Sequence, residues 1–170
     1  MKWHMRRTAA AVTLIVSMLI TGPAVAGPFE DATKAYNRGD YKTAYLLFKS
    51  LAEQGDAHAQ YNLGISYQIG RGVPQNDAEA VKWYRRAAEQ GLPEAQNKLG
   101  ASYSLGKVVP QDYVLATMWF NLAVHRFPAS EIEKRKEAEK NRNMIASTMT
   151  PDQIAEAQKL AREWKPKMER

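Results

Sequence analysis

The sequence predicts an all-α protein built as a short stack of helical hairpins. Two observations carry this prediction: a motif recurs at one fixed spacing, and each full copy contains two segments with helical periodicity. Leu63-Gly64 and Trp83-Tyr84 recur as Leu99-Gly100 and Trp119-Phe120, each 36 residues later and with no gap. A fixed period between about 20 and 50 residues is typical of stacked repeat proteins.

The middle copy shows why each unit should form a hairpin. Apolar residues recur every fourth position from Ala59 to Tyr67, so they share one face of a helix. This segment is predicted to end at Gly70, and either Asn76 or Asp77 can cap a second helix. The inward face of that second helix is predicted to carry Ala80, Trp83, Tyr84, Ala87 and Ala88. One hairpin cannot bury both apolar faces alone, so neighbouring hairpins must stack.

These motifs resemble the Sel-one-like repeats, which are relatives of the tetratricopeptide repeats. The family signature joins a Leu-Gly-x-x-Tyr helix, a Gly-x-Gly-Val loop, an Ala-x-x-Trp-Tyr helix and a closing Ala-Ala-x-x-Gly. The middle copy carries all of it, at Leu63-Gly64, Tyr67, Gly70 to Val73, Ala80, Trp83-Tyr84, Ala87-Ala88 and Gly91. In the next copy Val108 replaces the second loop glycine and Tyr113 stands in the place of Asp77, as expected of a terminal repeat. The resemblance implies a right-handed α–α superhelix with C-terminal capping helices.

The repeats are predicted at residues 29–55, 57–91 and 93–126, with two further helices in residues 127–170. The first repeat is shorter, turns at Gly39-Asp40 and looks like an ordinary tetratricopeptide repeat. In the C-terminal segment, Ser130 to Glu133 and Thr150 to Gln153 both have the form of a capping box. The charged helix between them is predicted to present a solvated face, and the last helix is predicted to cap the final repeat.

The first 26 residues are predicted to be a secretory signal peptide. Basic residues precede an apolar run over residues 9–20, and Ala24-Val25-Ala26 forms a small-residue cleavage site. The apolar run is shorter than the roughly 20 residues that a membrane span needs. We therefore expect cleavage after Ala26, export to the periplasm of a bacterium and no stable membrane anchor.

The charge and residue content argue against several kinds of partner. The chain has 24 Lys and Arg and 18 Asp and Glu; three bases lie in the predicted signal peptide, so its removal lowers the net charge from +6 to +3. The remaining bases are interleaved with acids, which argues against a nucleic-acid partner. The chain has no cysteine, so its helices must pack without disulfides.

No catalytic or metal-binding pattern stands out. His58 and His125 have no second His, Cys or carboxylate at a metal-ligand spacing. The loop from Gly70 to Val73 lacks the Lys-Ser/Thr of a phosphate-binding P-loop. Some secreted relatives of the resembling family are described as β-lactamases, but those are cysteine-rich. We therefore expect neither an enzyme nor a bound cofactor or metal.

The resemblance implies a scaffold or adaptor that binds a protein or peptide in the cell envelope. A cell-wall role, as a peptidoglycan-associated accessory or weak hydrolase, is the alternative, and a subunit of a larger exported assembly is a third possibility. The binding face is predicted on the concave groove, at first-helix positions that the packing face leaves free. These are Phe29, Thr33, Tyr36, His58, Tyr61, Ile65, Gln68, Glu94, Asn97, Ala101 and Ser104.

These groove positions differ between repeats, whereas the packing positions match. Tyr61 corresponds to Asn97, and Ile65 corresponds to Ala101. Such variation is expected of ligand-binding residues, and equally of residues that face only solvent. The aromatic members favour a ligand, because aromatic side chains often dominate the binding energy of an interface.

Overall fold

The computed structural model describes residues 27–167, and within that range it contains eight α-helices and no strand. The helices are α1 (Pro28–Asn37), α2 (Tyr41–Glu53), α3 (Ala57–Ile69), α4 (Asp77–Glu89), α5 (Pro93–Leu105), α6 (Tyr113–Arg126), α7 (Ile132–Ala146) and α8 (Pro151–Glu163). The first six form three consecutive hairpins, each packed against the next. The predicted all-α repeat fold is confirmed, and the predicted signal peptide lies outside the described residues.

Polar caps and a glycine set the helix boundaries of the middle hairpin. Asp56 accepts a hydrogen bond from the amide of Ala59 at 2.7 Å and so begins α3. The helix ends before Gly70, whose φ of 69° confirms the predicted left-handed terminus. Asn76 accepts hydrogen bonds from two amides at the start of α4, so Asn76 rather than Asp77 is the cap.

The core lies within each hairpin and between consecutive hairpins. Trp83 on α4 is buried, with 7% of its surface exposed. Gly64 allows α3 to approach α4 closely, since a Cβ at this position would lie 2.5 Å from a ring carbon of Tyr84. Gly100 has the same role in the next hairpin, where a Cβ would lie 2.9 Å from the ring of Phe120. The recurring Leu-Gly pair therefore encodes one recurring helix contact.

Two buried glutamines join consecutive hairpins. Nε2 of Gln60 donates a hydrogen bond to the carbonyl of Ala52 at 3.2 Å, and Gln96 makes the same bond to Ala88. Each acceptor lies in the last turn of the preceding helix, where carbonyls lack an intrahelical donor. Both glutamines are fully buried, so these bonds offset part of the free energy lost on burying polar groups.

The last two helices end the array without forming a fourth hairpin. Both α7 and α8 pack against α6 but make little contact with each other. Trp164, which follows α8, packs edge-on against Trp119, with ring centroids 6.0 Å apart. The last helix therefore has the capping role predicted for it.

One of the two predicted capping boxes is present. Thr150 and Gln153 make both reciprocal hydrogen bonds at the start of α8, as predicted. The prediction of a capping box at Ser130 is wrong, because Glu131 is the residue that directly precedes α7 and its side chain makes no capping hydrogen bond. The amide of Glu131 donates to the carbonyl of Pro128, and this turn moves the start of α7 one residue along the chain.

Candidate functional site

Two of the predicted binding residues of α1, Phe29 and Tyr36, contact the second hairpin, whereas Thr33 is hydrogen-bonded within α1. The Phe29 ring packs edge-on against the ring of the exposed residue His58, with centroids 6.2 Å apart. Thr33 Oγ1 donates to the backbone carbonyl of Phe29 at 3.0 Å. The Tyr36 hydroxyl accepts a hydrogen bond from the guanidinium of Arg71 at 2.6 Å. All three α1 side chains are partly buried, so each already has a partner within the chain.

Two of the predicted residues of α3, Tyr61 and Gln68, contact Tyr84. The ring of Tyr61 packs against the Tyr84 ring, with centroids 5.8 Å apart, and Gln68 Oε1 accepts a hydrogen bond from the Tyr84 hydroxyl at 2.8 Å. Burial raises the pKa of both phenols above the ordinary value of 10.0. Ile65, between Tyr61 and Gln68 in sequence, is partly buried.

The predicted residues at the start of α5 are contacted by α7. Glu94 forms an ion pair with the ammonium of Lys134 at 2.9 Å. The side-chain oxygen of Asn97 accepts a hydrogen bond from the amide of Asn141 at 3.3 Å. The charged surface of α7, predicted to be a solvated face, is therefore partly engaged in closing this end of the array.

A cleft of about 230 Å³ opens between the second and third hairpins, at the end that carries the loops within the hairpins. We refer to it as the interhairpin cleft. It is lined by Gln68, Asp77, Ala80, Val81, Tyr84, Lys98, Ala101, Ser102, Leu105, Lys107 and Val108. Two of the predicted binding residues, Gln68 and Ala101, therefore line one cavity. Ser104 lies beside them on α5, with its hydroxyl bonded to the carbonyl of Ala101.

The equivalent space between the first and second hairpins is filled by aromatic side chains. The guanidinium of Arg71 lies 4.7 Å from the ring centroid of Tyr41 and 5.5 Å from that of Tyr36. Tyr45 and Tyr67 pack edge-on, and their hydroxyls are hydrogen-bonded at 3.0 Å. These five side chains pack the loop of the second hairpin onto the first.

Three replacements account for the opening of the interhairpin cleft. Asp77 and Val81 stand where α2 has tyrosines 36 residues earlier, so two rings are missing from one wall. Val108 stands where the preceding loop has Gly72. A Cβ on Gly72 would overlap the carbonyl oxygen of Tyr41, so a loop that carries valine cannot make the same close approach. The cleft therefore follows directly from differences between the repeats.

The interhairpin cleft has an apolar floor. Ala80, Val81 and Tyr84 are buried there, and Ala101 is packed against the neighbouring core. Leu105 stands at the edge with 63% of its surface exposed. Exposed apolar surface beside a concave floor favours the binding of an apolar group.

Charged groups form the rim of the same cleft. Among residues 27–167, the ammonium groups of Lys98 and Lys107 have no carboxylate partner. Asp77 lies in the first turn of α4, where the helix dipole stabilises its negative charge. The site can therefore attract a carboxylate to its lysines and offer an acceptor to a backbone amide.

Our prediction of groove residues did not include the residues that shape this cleft. Outside the predicted face lie Lys98 near the middle of α5, Lys107 in the loop that follows α5, and Asp77 and Val81 in the first two turns of α4. A usable signal was present in the sequence. Aligning α2 with α4 shows aromatic residues replaced by smaller ones at positions that pack against the next hairpin.

Two further properties concern the described part of the chain. Residues 27–167 contain no group of three His, Cys, Asp or Glu side chains close enough to hold a metal ion. None of the helices described here has the length and apolar character needed to cross a membrane.

Consecutive helical hairpins joined by one repeated contact define an α-helical repeat protein. The sequence model of the Sel1 repeat family matches this chain at residues 31–56, 57–92 and 93–125, which together make up more than half of the chain. The chain therefore belongs to the Sel1 repeat family, as its motifs implied. Proteins of this family generally act as scaffolds for protein–protein interactions, bind protein partners and are typically not enzymes.

Solved structures that resemble this chain include a bacterial antigen and a Sel1 repeat protein. A protective antigen present in uropathogenic Escherichia coli strains, which displays an SLR fold, matches with a TM-score of 0.70 and 31% identity, over 81% of this chain and 29% of that one. A Sel1 repeat protein from Oxalobacter formigenes matches with a TM-score of 0.56 and 28% identity, over 84% of this chain and 66% of that one.

Curated relatives match over shorter stretches. DAP3-binding cell death enhancer 1 of Rattus norvegicus is 38% identical over 71 residues, which is 42% of this chain and 14% of the rat protein. An uncharacterised protein of Neisseria meningitidis serogroup B is 40% identical over 48 residues, which is 28% of this chain and 10% of that protein. The chain therefore spans only a small part of the curated relatives it matches.

Proposed function

We propose that this chain is a non-enzymatic scaffold of the cell envelope, and that it binds an extended segment of a partner protein in the interhairpin cleft. The observation that carries the proposal is the difference between two equivalent interfaces. Aromatic rings fill the first, whereas smaller side chains leave the second open and charged. An unfilled interface is less stable than a packed one, and the side chain of a partner would restore the missing contacts.

The chemistry of the cleft specifies the partner segment. Its volume of about 230 Å³ lies below the 300–1,000 Å³ typical of small-molecule pockets, so it suits one or two side chains rather than a cofactor. The apolar floor selects an apolar side chain. Lys98 and Lys107 select a neighbouring carboxylate, which can be an acidic side chain or a chain terminus.

The proposed envelope location rests on the N-terminal sequence. A basic segment, an apolar run and Ala24-Val25-Ala26 occur in the order of a secretory signal. Export to the periplasm with cleavage after Ala26 would give a chain that begins at Gly27. Mass spectrometry of the protein from the periplasmic fraction measures this directly, and Met1 retained on membrane-bound material would contradict export.

Site-specific photo-crosslinking in the native cells tests the binding site. A photoreactive residue in place of Leu105, at the edge of the cleft, is expected to capture one discrete partner. The same residue in place of Leu46 is the matched control, because Leu46 is similarly exposed, at 55% against 63%, but lies on α2 away from the cleft. The captured segment is expected to place an apolar residue beside a carboxylate.

Charge reversal separates cleft binding from general attraction. The variant K98E/K107E should lose the Leu105 adduct, because its rim would repel a carboxylate. The variant R38E/K42E makes the same change in net charge on exposed residues of the first hairpin and should keep the adduct. An adduct that persists in K98E/K107E, or equal capture from positions 46 and 105, would refute the proposed site.

A further inference from the structure

A second, larger cleft lies at the C-terminal end of the array. It has a volume of about 690 Å³ and is lined by residues of α6, α7 and α8. It exists because α7 and α8 both pack on α6 but do not pair with each other, so a gap stays open between them. We refer to it as the basic cleft.

The lining of the basic cleft is strongly cationic. It includes Arg126 from α6, Arg142 from α7 and Arg162 from α8, together with His125. No Asp or Glu belongs to this lining, and across residues 27–167 no ion pair neutralises any of the three guanidinium groups. Asn121 and Gln158 add neutral hydrogen-bonding groups to the same walls.

Favourable interaction with a helix dipole explains the presence of only some of these basic residues. His125 and Arg126 lie in the last turn of α6, where basic side chains interact favourably with the helix dipole. Arg142 and Arg162 belong to two other helices and converge on the same space. Three positive charges brought together from three helices repel one another, so their convergence calls for a compensating negative charge.

The arginines differ in how firmly they are held. The guanidinium of Arg126 lies 4.6 Å from the centroid of the Trp164 ring, which fixes its position. Arg142 donates through Nε and Nη2 to the side-chain oxygen of Asn143, at 3.1 and 3.0 Å, and so retains its charge and further donors. A ligand would therefore meet one preorganised guanidinium and others that can adjust to it.

We propose that the basic cleft binds a small ligand that carries at least two phosphate or carboxylate groups. Guanidinium groups recognise both oxyanions through paired hydrogen bonds, and arginines on separate helices can each engage one group of the ligand. The cleft volume falls within the range of small-molecule sites. This site is separate from the interhairpin cleft and does not depend on the function proposed for it.

Calorimetric titration of the purified protein with pyrophosphate and with citrate tests the proposal, and acetate serves as the singly charged control. We expect one molecule of pyrophosphate or citrate to bind per chain, with a dissociation constant below about 1 mM at physiological salt, and no measurable binding of acetate. Binding of pyrophosphate alone or citrate alone would identify the ligand as phosphate-based or carboxylate-based.

The variant R142Q/R162Q should weaken binding at least tenfold while circular dichroism shows unchanged helix content, because both side chains lie on the cleft wall rather than in the core. The variant R38Q/K42Q removes the same charge from the first hairpin and should bind within about twofold of the original protein. Equal weakening by both variants would show that net charge alone attracts the anions. Absence of binding, or binding only to anionic lipid vesicles, would also overturn the proposal.

Discussion

Replacing Gly72 with alanine is expected to destabilise the protein more than the same replacement at Gly39. Both glycines have positive φ, 77° and 81°, so alanine meets a left-handed backbone penalty of about 1–2 kcal/mol at each position. The two sites differ in the space available. A Cβ on Gly39 would have no neighbouring heavy atom within 4 Å, whereas a Cβ on Gly72 would overlap the carbonyl oxygen of Tyr41.

The overlap at position 72 adds a second contribution to the loss of stability. The obstructing atom belongs to the backbone and cannot rotate away, so the loop must move off α2. This movement would also separate Arg71 from the rings of Tyr41 and Tyr36. Steric strain of this kind costs about 1–3 kcal/mol. We therefore expect a loss of about 1–2 kcal/mol for Gly39→Ala and about 2–5 kcal/mol for Gly72→Ala.

Urea unfolding followed by circular dichroism measures both free energies, and equal slopes for the two variants make the comparison valid. Equal destabilisation would show that the loop does not lie against α2. That result would also contradict our explanation of the interhairpin cleft. The explanation assumes that only glycine at this loop position allows the loop to lie against the preceding hairpin, and that Val108 prevents this approach.

Two further predictions concern stability. Trp83→Ala should lower the free energy of unfolding in urea by about 3–5 kcal/mol, because a large buried ring is lost. Lys82→Ala, on the exposed face of the same helix, should change it by no more than about 0.5 kcal/mol. Similar values for the two variants would mean that the inward face of α4 is misassigned. Burial, together with the hydrogen bond to Tyr45, raises the pKa of Tyr67 to about 12 from an ordinary value of 10.0. The folded protein thus holds the Tyr67 proton more tightly than the unfolded chain does. The contribution of Tyr67 to the free energy of unfolding is therefore complete below pH 10 and is lost as the pH rises toward 12. Unfolding measured across that range should show a shallower loss for Tyr67→Phe, and an unchanged slope would contradict the raised pKa.

The hairpin array was predictable because the residues that make its packing contacts recur in the sequence at a fixed spacing. Gly64 and Gly100 each face an aromatic ring of the following helix, so one pattern reported the same contact at two places. Helix ends followed equally local rules, as at Gly70 and Asn76. The turn before α7 was missed because its backbone hydrogen bond competes with the capping geometry that the residue types favour.

The arrangement of the last two helices was not predictable from local patterns. The ion pair between Lys134 and Glu94 joins residues 40 apart, and the sequence near either residue does not identify the other. Ala138 is the only buried residue of α7, so its apolar pattern is too weak to specify a neighbour. The basic cleft depends on tertiary placement of this kind, which explains why its arginines were not predicted as site residues.

Differences between repeats have two physical meanings, and the structure separates them. Some residues that differ between repeats contact a partner within the chain. Tyr36 is bonded to a guanidinium, Tyr61 packs against a ring, and Glu94 is paired with an ammonium. At Lys98 and Lys107 no carboxylate partner occurs in the described part of the chain, although both line a cavity. A side chain that already has a partner within the chain has less to gain from a second molecule, because binding must first break or share the existing contact. Unpaired charge beside an apolar floor has no such cost, and this is why the interhairpin cleft, rather than the whole concave groove, is the better candidate for partner binding.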